Sequence, residues 1–384
     1  MDFGFTEEQQ AIRKTAREFA EQHFPPIAME CDANERFPRE LVPKLAALGF
    51  LGISLDPKYG GAGLGVVEQS LVMEEFARVD GGIAVAVWST AFGSEILQAL
   101  GSDALKQQYL PPLTKGEAIM GAAITEPEAG SDVANISTVA RKDGKDWVIS
   151  GQKIFITNGT IADYFVMICA TDPTNPERHR RHSSILVPAK SAGLKAQKMH
   201  GKMGIRASDT AELYLEDVRV PQANTLGKEG EGFLHVMQFF NQTRIGVAAQ
   251  AVGIAQGALE RATKYAQERK AFGQPISEFQ AIQFKLAEMA TKTEAARNLM
   301  YKAAWEVDRR RPNPMASSMA KWYAGQVAVE VCDEALQIHG GYGYMKDFDV
   351  ERFYRDAKIT ELYEGTKEVH KLIIARALLG KLRA

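Results

Sequence analysis

Asp146-Trp147-Val148-Ile149-Ser150-Gly151-Gln152-Lys153-Ile154-Phe155-Ile156-Thr157 is the stretch on which the fold turns. Two short runs of aromatic and β-branched residues flank Ser-Gly-Gln, a composition that suits strands. Similar runs follow at 164–169, 184–188 and 211–215, between clusters of Gly, Asn, Asp and Pro. The middle of the chain, from about residue 121, therefore reads as an antiparallel sheet or barrel. On both sides the apolar spacing changes to that of helices. Upstream, Thr6-Glu7-Glu8 opens a face of Ile12, Ala16, Phe19 and Ala20 that Pro25-Pro26 closes. More helices fit 39–48, 66–79, 84–100 and 103–113, with a Gly-rich break at 56–63. Downstream, long helices fit 244–270, 278–308, 314–339 and 366–382. Helices, then strands, then helices predict an α+β chain in three parts, not an alternating βαβ one.

Composition narrows the function classes. The chain has 384 residues, 46 basic and 48 acidic, for a formal net charge of -2. That balance gives no general attraction to nucleic acid or an anionic membrane. Cys31, Cys169 and Cys332 are scattered without CxxC spacing, which argues against a disulfide framework or a zinc cluster. No apolar run approaches the roughly 18 to 20 residues of a membrane span. The first residues lack the apolar core of a signal peptide, so a cytoplasmic protein is expected. No Gly-x-Gly-x-x-Gly opens a helix after a strand, no P-loop or Gly-x-Ser-x-Gly elbow occurs, and no metal-ligand spacing is found. A nucleotide would have to be held in some other way.

Four segments could carry chemistry. Ile359-Thr360-Glu361-Leu362-Tyr363-Glu364-Gly365-Thr366 delivers Glu364 to a glycine just before a Thr-capped helix. A carboxylate there would pair a base with exposed N–H donors, which suits removal of a proton next to a carbonyl. On local pattern alone, an ordinary loop carboxylate is the favoured reading of Glu364. Thr125-Glu126-Pro127-Glu128-Ala129-Gly130-Ser131-Asp132 is a turn rich in amides and hydroxyls. Gln337-Ile338-His339-Gly340-Gly341-Tyr342-Gly343-Tyr344 is either a helix C-cap or a place where backbone meets a phosphate. Arg178-His179-Arg180-Arg181-His182 could meet phosphate or form a solvated hairpin tip.

Taken together, the chain resembles the acyl-CoA dehydrogenase family along nearly its whole length. The motifs that carry the resemblance are ITEPEAGSD (124–132), KIFITNG (153–159), KMGIRASDTAEL (202–213), ERKAFGQPISEFQAIQFKLAEMA (268–290), QIHGGYGY (337–344) and YRDAKITELYEGT (354–366). Any one is weak; six in the family's order are specific. The resemblance implies an N-terminal α-helical domain at 1–121, a β-barrel domain at 122–231 and a C-terminal four-helix bundle at 232–384. It implies FAD as cofactor and an acyl-CoA thioester as substrate. Glu364 falls on the family's base, which takes the α-proton while hydride passes from the β-carbon to flavin N5. The Glu364 N–H and a flavin hydroxyl would polarise the thioester carbonyl.

The same resemblance places Ala122, Ile124, Thr125 and Ser131 along the flavin, with Ser131 also touching the CoA arm. Phe155, Ile156 and Thr157 match the strand beside the flavin ring, and many members have Trp where this chain has Phe155. Arg269, Phe272 and Gln280, together with Gln337, Ile338, Gly340 and Gly341, match residues that reach the FAD of a neighbouring subunit. That implies FAD shared across a dimer, within a homotetramer built as a dimer of dimers. Thr366 and Glu368 match flavin contacts after the base. Asn241, Arg244, Tyr363 and Gly365 match substrate contacts, and many members have Asp where this chain has Asn241. The implied electron acceptor is electron-transfer flavoprotein. A Glu at 364 fits the short-chain, medium-chain and several branched or aromatic branches, and small apolar residues near Ala84 argue against a dicarboxylate. Trp88 either walls off the acyl tunnel or is a core residue. The expected substrate is a short to medium, branched or cyclic acyl group. The rivals are a flavin oxidase or monooxygenase on the same fold and a non-catalytic CoA-binding scaffold.

Overall fold

The structure is a computed structural model that describes residues 4–380. Seven helices come first: α1 (Glu7–His23), α2 (Pro25–Ala33), α3 (Val42–Ala47), α4 (Val66–Val79), α5 (Gly81–Trp88), α6 (Ser94–Leu100) and α7 (Asp103–Thr114). Thr6 caps α1 in a reciprocal box with Gln9. Pro25-Pro26 does more than end that helix. The prolines occupy the first turn of α2, where their missing N–H groups cost nothing. The expected helix at 84–100 is two helices, because Ser89 to Gly93 turn sharply and Gly93 adopts φ 101°. Only the later half of 39–48 is α-helical, after a single tight turn.

Eight strands follow: β1 (Met120–Ala123), β2 (Val139–Asp143), β3 (Asp146–Thr157), β4 (Tyr164–Ala170), β5 (His182–Pro188), β6 (Leu194–Lys198), β7 (Thr210–Pro221) and β8 (Thr225–Leu226). The ladder runs β6–β7–β3–β2–β4–β5–β8, with β1 added parallel to β4. The stretch 146–157 is one strand, not two. It passes Ser150-Gly151 through a register shift, and a side chain at 151 would fall 2.6 Å from Thr138 Oγ1. Trp147, Ile149, Phe165, Met167, Ile185, Val187, Leu213 and Leu215 fill a single core. Strands that distant in the ladder share one interior only if the sheet curls around it. β4 is buried on both faces. Tyr164, Val166 and Ile168 point the other way, into a second core with Leu97, Leu110, Val236 and Phe239.

The C-terminal part holds α8 (Gly232–Glu268), the hairpin β9 (Lys270–Ala271) and β10 (Gln274–Pro275), then α9 (Gln280–Asp308), α10 (Pro314–His339), α11 (Val350–Ala357) and α12 (Lys367–Leu379). α8 starts at Gly232, earlier than the expected 244, because its first turns pack on β5 where Gly232 has no room for a side chain. Its interior is lined by Ala248, Ala251, Val252, Ala255 and Ala258, small residues that let α4 and α10 approach closely. The last expected helical residues, 381 and 382, lie outside the described residues. No helix among them is long and apolar enough to cross a membrane.

Candidate functional site

Between α11 and α12, a tight turn at Lys358–Glu361 brings the chain to Glu364 and Gly365, with φ of 54° and 97°. A left-handed conformation at a non-glycine residue is unfavourable and persists only when its surroundings hold it. Here Arg244 Nε of α8 donates to the Glu364 carbonyl at 3.3 Å, and Lys321 Nζ of α10 donates to the Gly365 carbonyl at 2.6 Å. The Thr243 hydroxyl donates to the Glu364 carboxyl, and Thr366 caps α12. His370, fully buried, packs against Gly365, where an added Cβ would meet its ring at 3.2 Å. Among the described residues, the Glu364 N–H has no acceptor.

Burial dominates the electrostatics of this turn. It pushes the Glu364 carboxyl above its ordinary range, against the pull of Thr243, Arg244 and Lys321. It pushes the Lys321 ammonium down to about 7, with Glu364 opposing, and His370 down to about 3 beside Lys321 and Arg244. The result is a carboxyl tuned toward the range of a general base in a water-poor site. The Tyr363 hydroxyl, raised by burial, donates to Gln250 of α8. Arg244 also reaches Asn241 at 3.4 Å and lies 5.7 Å over the Phe240 ring.

One face of α8 organises the wall of the site. Phe239, Thr243 and Gly246 fall at i, i+4 and i+7, in line along the helix. Phe239 meets the Phe92 ring at 5.0 Å, Thr243 holds Glu364, and Gly246 leaves space for the Trp88 ring. Trp88 and Phe92 also pack on each other, with ring centroids 6.3 Å apart. A cavity behind them is lined by Trp88, Ala91, Phe92, Ser94 and Glu95. Burial, eased by the Gly93 N–H and added to by Glu364, pushes the Glu95 carboxyl up to about 7.

The sheet supplies the opposite side. A register shift between Lys153 and Ile156, with Phe155 at φ 57°, turns the Phe155 ring outward to 62% exposure while Ile156 stays buried. Ala122 and Ile124 are buried in the strand core beside it, and the Thr125 carbonyl accepts from Ile154 at 3.0 Å. Asn158 ties this edge to α5 and β1, donating to Ser89 O at 2.6 Å and Met120 O at 3.0 Å. Beneath the 124–131 turn, fully buried Lys153 donates to Glu126 at 2.8 Å and to the Ile124 and Ile168 carbonyls. Burial would raise the Glu126 carboxyl, but Lys153, Thr138 and Ser137 outweigh it and hold it at about 2. Ser131 is exposed at the end of that turn. The basic loop is largely paired: Arg178 with Asp132, Arg180 with Glu231, and His179 stacked 4.2 Å from Phe233.

The remaining expected residues lie elsewhere. Arg269 is exposed and sits 5.4 Å over Tyr342, close to Gly340 and Gly341, whose Cβ positions face open space. Phe272 is 96% exposed at the β9–β10 tip with φ 52°, and Gln280 and Gln337 are exposed nearby, whereas Ile338 is buried. Gly340, at φ 60°, ends α10 as a C-cap glycine does. Twenty-five positions of α8 separate Arg269 from Arg244, roughly 37 Å at 1.5 Å per residue. The expected set therefore splits into two groups far apart along one helix. Thr366 and Glu368 belong to the Glu364 group by position, Glu368 being exposed.

Sequence reading passed over Thr243, Lys321, His370, Glu95, Asn158 and the Lys153–Glu126 pair. A signal existed for Lys321, a lone charge in the run Met319-Ala320-Lys321-Trp322-Tyr323-Ala324-Gly325. Glu95 and His370 give none, because each matters only through neighbours remote in sequence. Among the described residues no group of His, Cys, Asp or Glu could hold a metal ion.

With this geometry in view, similarity to known proteins becomes informative. Family models for the N-terminal, middle and C-terminal domains of acyl-CoA dehydrogenase match residues 6–117, 121–218 and 230–379. The short-chain specific acyl-CoA dehydrogenase of Clostridium acetobutylicum is 44% identical over 98% of this chain and 99% of its own. The subunit CarC of the caffeyl-CoA reductase–Etf complex of Acetobacterium woodii is 41% identical over 98% and 100%. The structure of butyryl-CoA dehydrogenase from Megasphaera elsdenii superposes with a TM-score of 0.95 at 40% identity, covering 99% and 100%. Family members are FAD flavoproteins and oxidoreductases acting on CH–CH bonds. Three matched domains in order, on a fold that brings one buried carboxyl into a strained, cation-held turn, establish that this chain belongs to the acyl-CoA dehydrogenase family.

Proposed function

We propose that the protein catalyses FAD-dependent α,β-dehydrogenation of an acyl-CoA thioester to the 2-enoyl-CoA, with Glu364 as the base. The observation that carries this reading is the Glu364 turn: a half-buried carboxyl of raised proton affinity whose own N–H has no acceptor among the described residues. A thioester carbonyl bonded to that N–H would bring its α-carbon to the carboxyl. Negative charge developing on the carbonyl oxygen would then meet a fixed donor in a site from which water is excluded. Glu364 takes the α-proton and becomes neutral, the form that burial favours. Thr243 holds the carboxyl in place, and Arg244 with Asn241 faces the CoA arm. FAD, when bound, supplies the acceptor for the hydride from the β-carbon.

The residues present fit FAD. Phe155 is turned outward by a bulge next to a buried strand core, which is what a stacking face requires, and Thr157 follows it on the same strand with a hydroxyl. The exposed Arg269, Phe272, Gln280 and Gln337–Gly341 group lies too far along α8 to serve the same flavin from the same chain. We therefore read it as completing the site of a second copy, within a homotetramer. Electrons would pass to electron-transfer flavoprotein, and the cytoplasm is the expected location. The aromatic wall of Trp88 and Phe92 supports a short to medium, branched or cyclic acyl group. The reverse reduction of a 2-enoyl-CoA uses the same atoms, and similarity to a caffeyl-CoA reductase subunit favours including it.

An anaerobic visible spectrum titrated with straight, branched, cyclic and aromatic acyl-CoAs tests this reading. Bleaching of the flavin band by a member of the panel is the expected result. A yellow protein that none of them bleaches would discard the substrate class, and one that stays colourless after adding FAD would favour the scaffold reading.

A further inference from the structure

We propose that Lys321 is a positioning residue for Glu364 that acts through the Gly365 carbonyl, an inference that rests on Glu364 being the base. Lys321 is 1% exposed, about two turns into α10, and its ammonium is bonded to the Gly365 oxygen at 2.6 Å. Taking an ammonium out of water is costly, so a buried one held on a neutral backbone oxygen calls for a reason. The reason lies in the shape of the turn. Two successive residues adopt positive φ, and their two carbonyls are held by cations from two different helices, Arg244 of α8 and Lys321 of α10. The His370 ring closes the space under Gly365. With both peptide planes fixed, the Cα–Cβ direction of Glu364 is fixed as well, and its carboxyl meets Thr243. Released from Lys321, Gly365 is free to rotate, because glycine has broad conformational freedom, and the carboxyl would move with it.

A second consequence is electrostatic. The groups that face this pocket are Glu364, Arg244 of α8, Lys321 of α10, Glu95 of α6, Glu361 before the turn, and Glu368 and His370 of α12. Lys321 and Arg244 are the cations that favour the ionised form of Glu364.

The experiment compares wild type, Lys321→Met and Lys321→Arg as flavin-loaded proteins. With an acyl-CoA that bleaches the wild type, Lys321→Met should lose about 10- to 100-fold in kcat, as for a base displaced by about an ångström. Its KM should stay within about threefold, since uniform binding is untouched. The rising limb of kcat/KM against pH should move to higher pH, because a cation favouring the Glu364 carboxylate is gone. Lys321→Arg should keep the wild-type limb. Independently of turnover, amide hydrogen exchange across residues 359–370 should quicken in Lys321→Met. Wild-type kcat, an unmoved limb and unchanged exchange in Lys321→Met would overturn the proposal, and so would loss of flavin or assembly in both variants, which would make the lysine part of the scaffold. If no acyl-CoA bleaches the wild type, the reading of Glu364 as base fails, and the exchange comparison still decides whether Lys321 holds the turn.

Discussion

Two stretches of α8, around Arg244 and at Arg269, are built on opposite plans. At the Arg244 end, four helices and a sheet edge converge, charges are buried, and every backbone carbonyl of the Glu364–Gly365 turn has a donor from the same chain. At the Arg269 end the candidate residues point outward, Phe272 is almost fully exposed, and the glycines after α10 face open space. The first end is pre-organised within one chain and can stabilise charge without rearrangement. On the proposed reading, the second gains its partners by association, and reaction chemistry and ligand retention are separated along one rigid rod.

The sharpest way to break that contrast is Glu364→Gln. It should retain flavin and bind acyl-CoA while turnover falls by about 10²- to 10⁴-fold, the usual range for removing a positioned base. Near-wild-type rates would remove the chemical end from the picture. Lys153→Met probes the support under the strand side. It leaves the buried Glu126 carboxyl without its cation, and breaking a pair that way typically costs about 3–5 kcal/mol, read as a lowered midpoint of denaturant unfolding. The pH dependence has a definite sign. Glu126 is held below its ordinary 4.5, at about 2, so its contribution to stability is present above 4.5 and is lost as pH falls toward 2. The variant should show a shallower acid transition in that window.

Arg269→Ala tests the outer end. It should weaken flavin retention by about tenfold or more and loosen assembly in parallel, because a ligand that bridges subunits stabilises both. Sedimentation with absorbance at the flavin band checks this; flavin lost from an intact oligomer would contradict a shared site. The smallest effect is expected from Glu95→Gln. Burial raises the Glu95 carboxyl to about 7, so its charged form disfavours folding increasingly as pH rises from 4.5 to 7. The substitution should therefore raise Tm by about a few degrees more at pH 8 than at pH 5.

Much of this was legible in the sequence where short-range rules decide. α10 runs from Pro314 to His339 as its apolar spacing, proline start and glycine stop predict. Thr6 and Thr366 cap the helices expected of them. The order of helices, strands and helices followed from the change in period alone. What stayed hidden was decided by distant neighbours. The break between α5 and α6 is fixed where Asn158 takes the Ser89 carbonyl, sixty-nine residues away in sequence. The strand at 146–157 stays whole because β7, more than fifty residues on, pairs with it on both sides of the register shifts. Lys321, Thr243 and His370 form the setting of Glu364 from three helices; Thr243 and His370 have ordinary local patterns, and the lone charge of Lys321 does not say what it meets. The motif thus located the carboxyl, and tertiary packing made it a candidate base.

The separation along α8 has a consequence for mixed oligomers. A chain carrying Glu364→Gln still offers an intact Arg269 end to its neighbour, and a chain carrying Arg269→Ala still has an intact Glu364 turn. Each alone should be impaired, the first in turnover and the second in flavin retention, yet co-expressed they should complement. In each mixed pair one site receives both lesions and the other receives none, so activity should return to about half that of the wild type per mixed pair, as expected for independent sites.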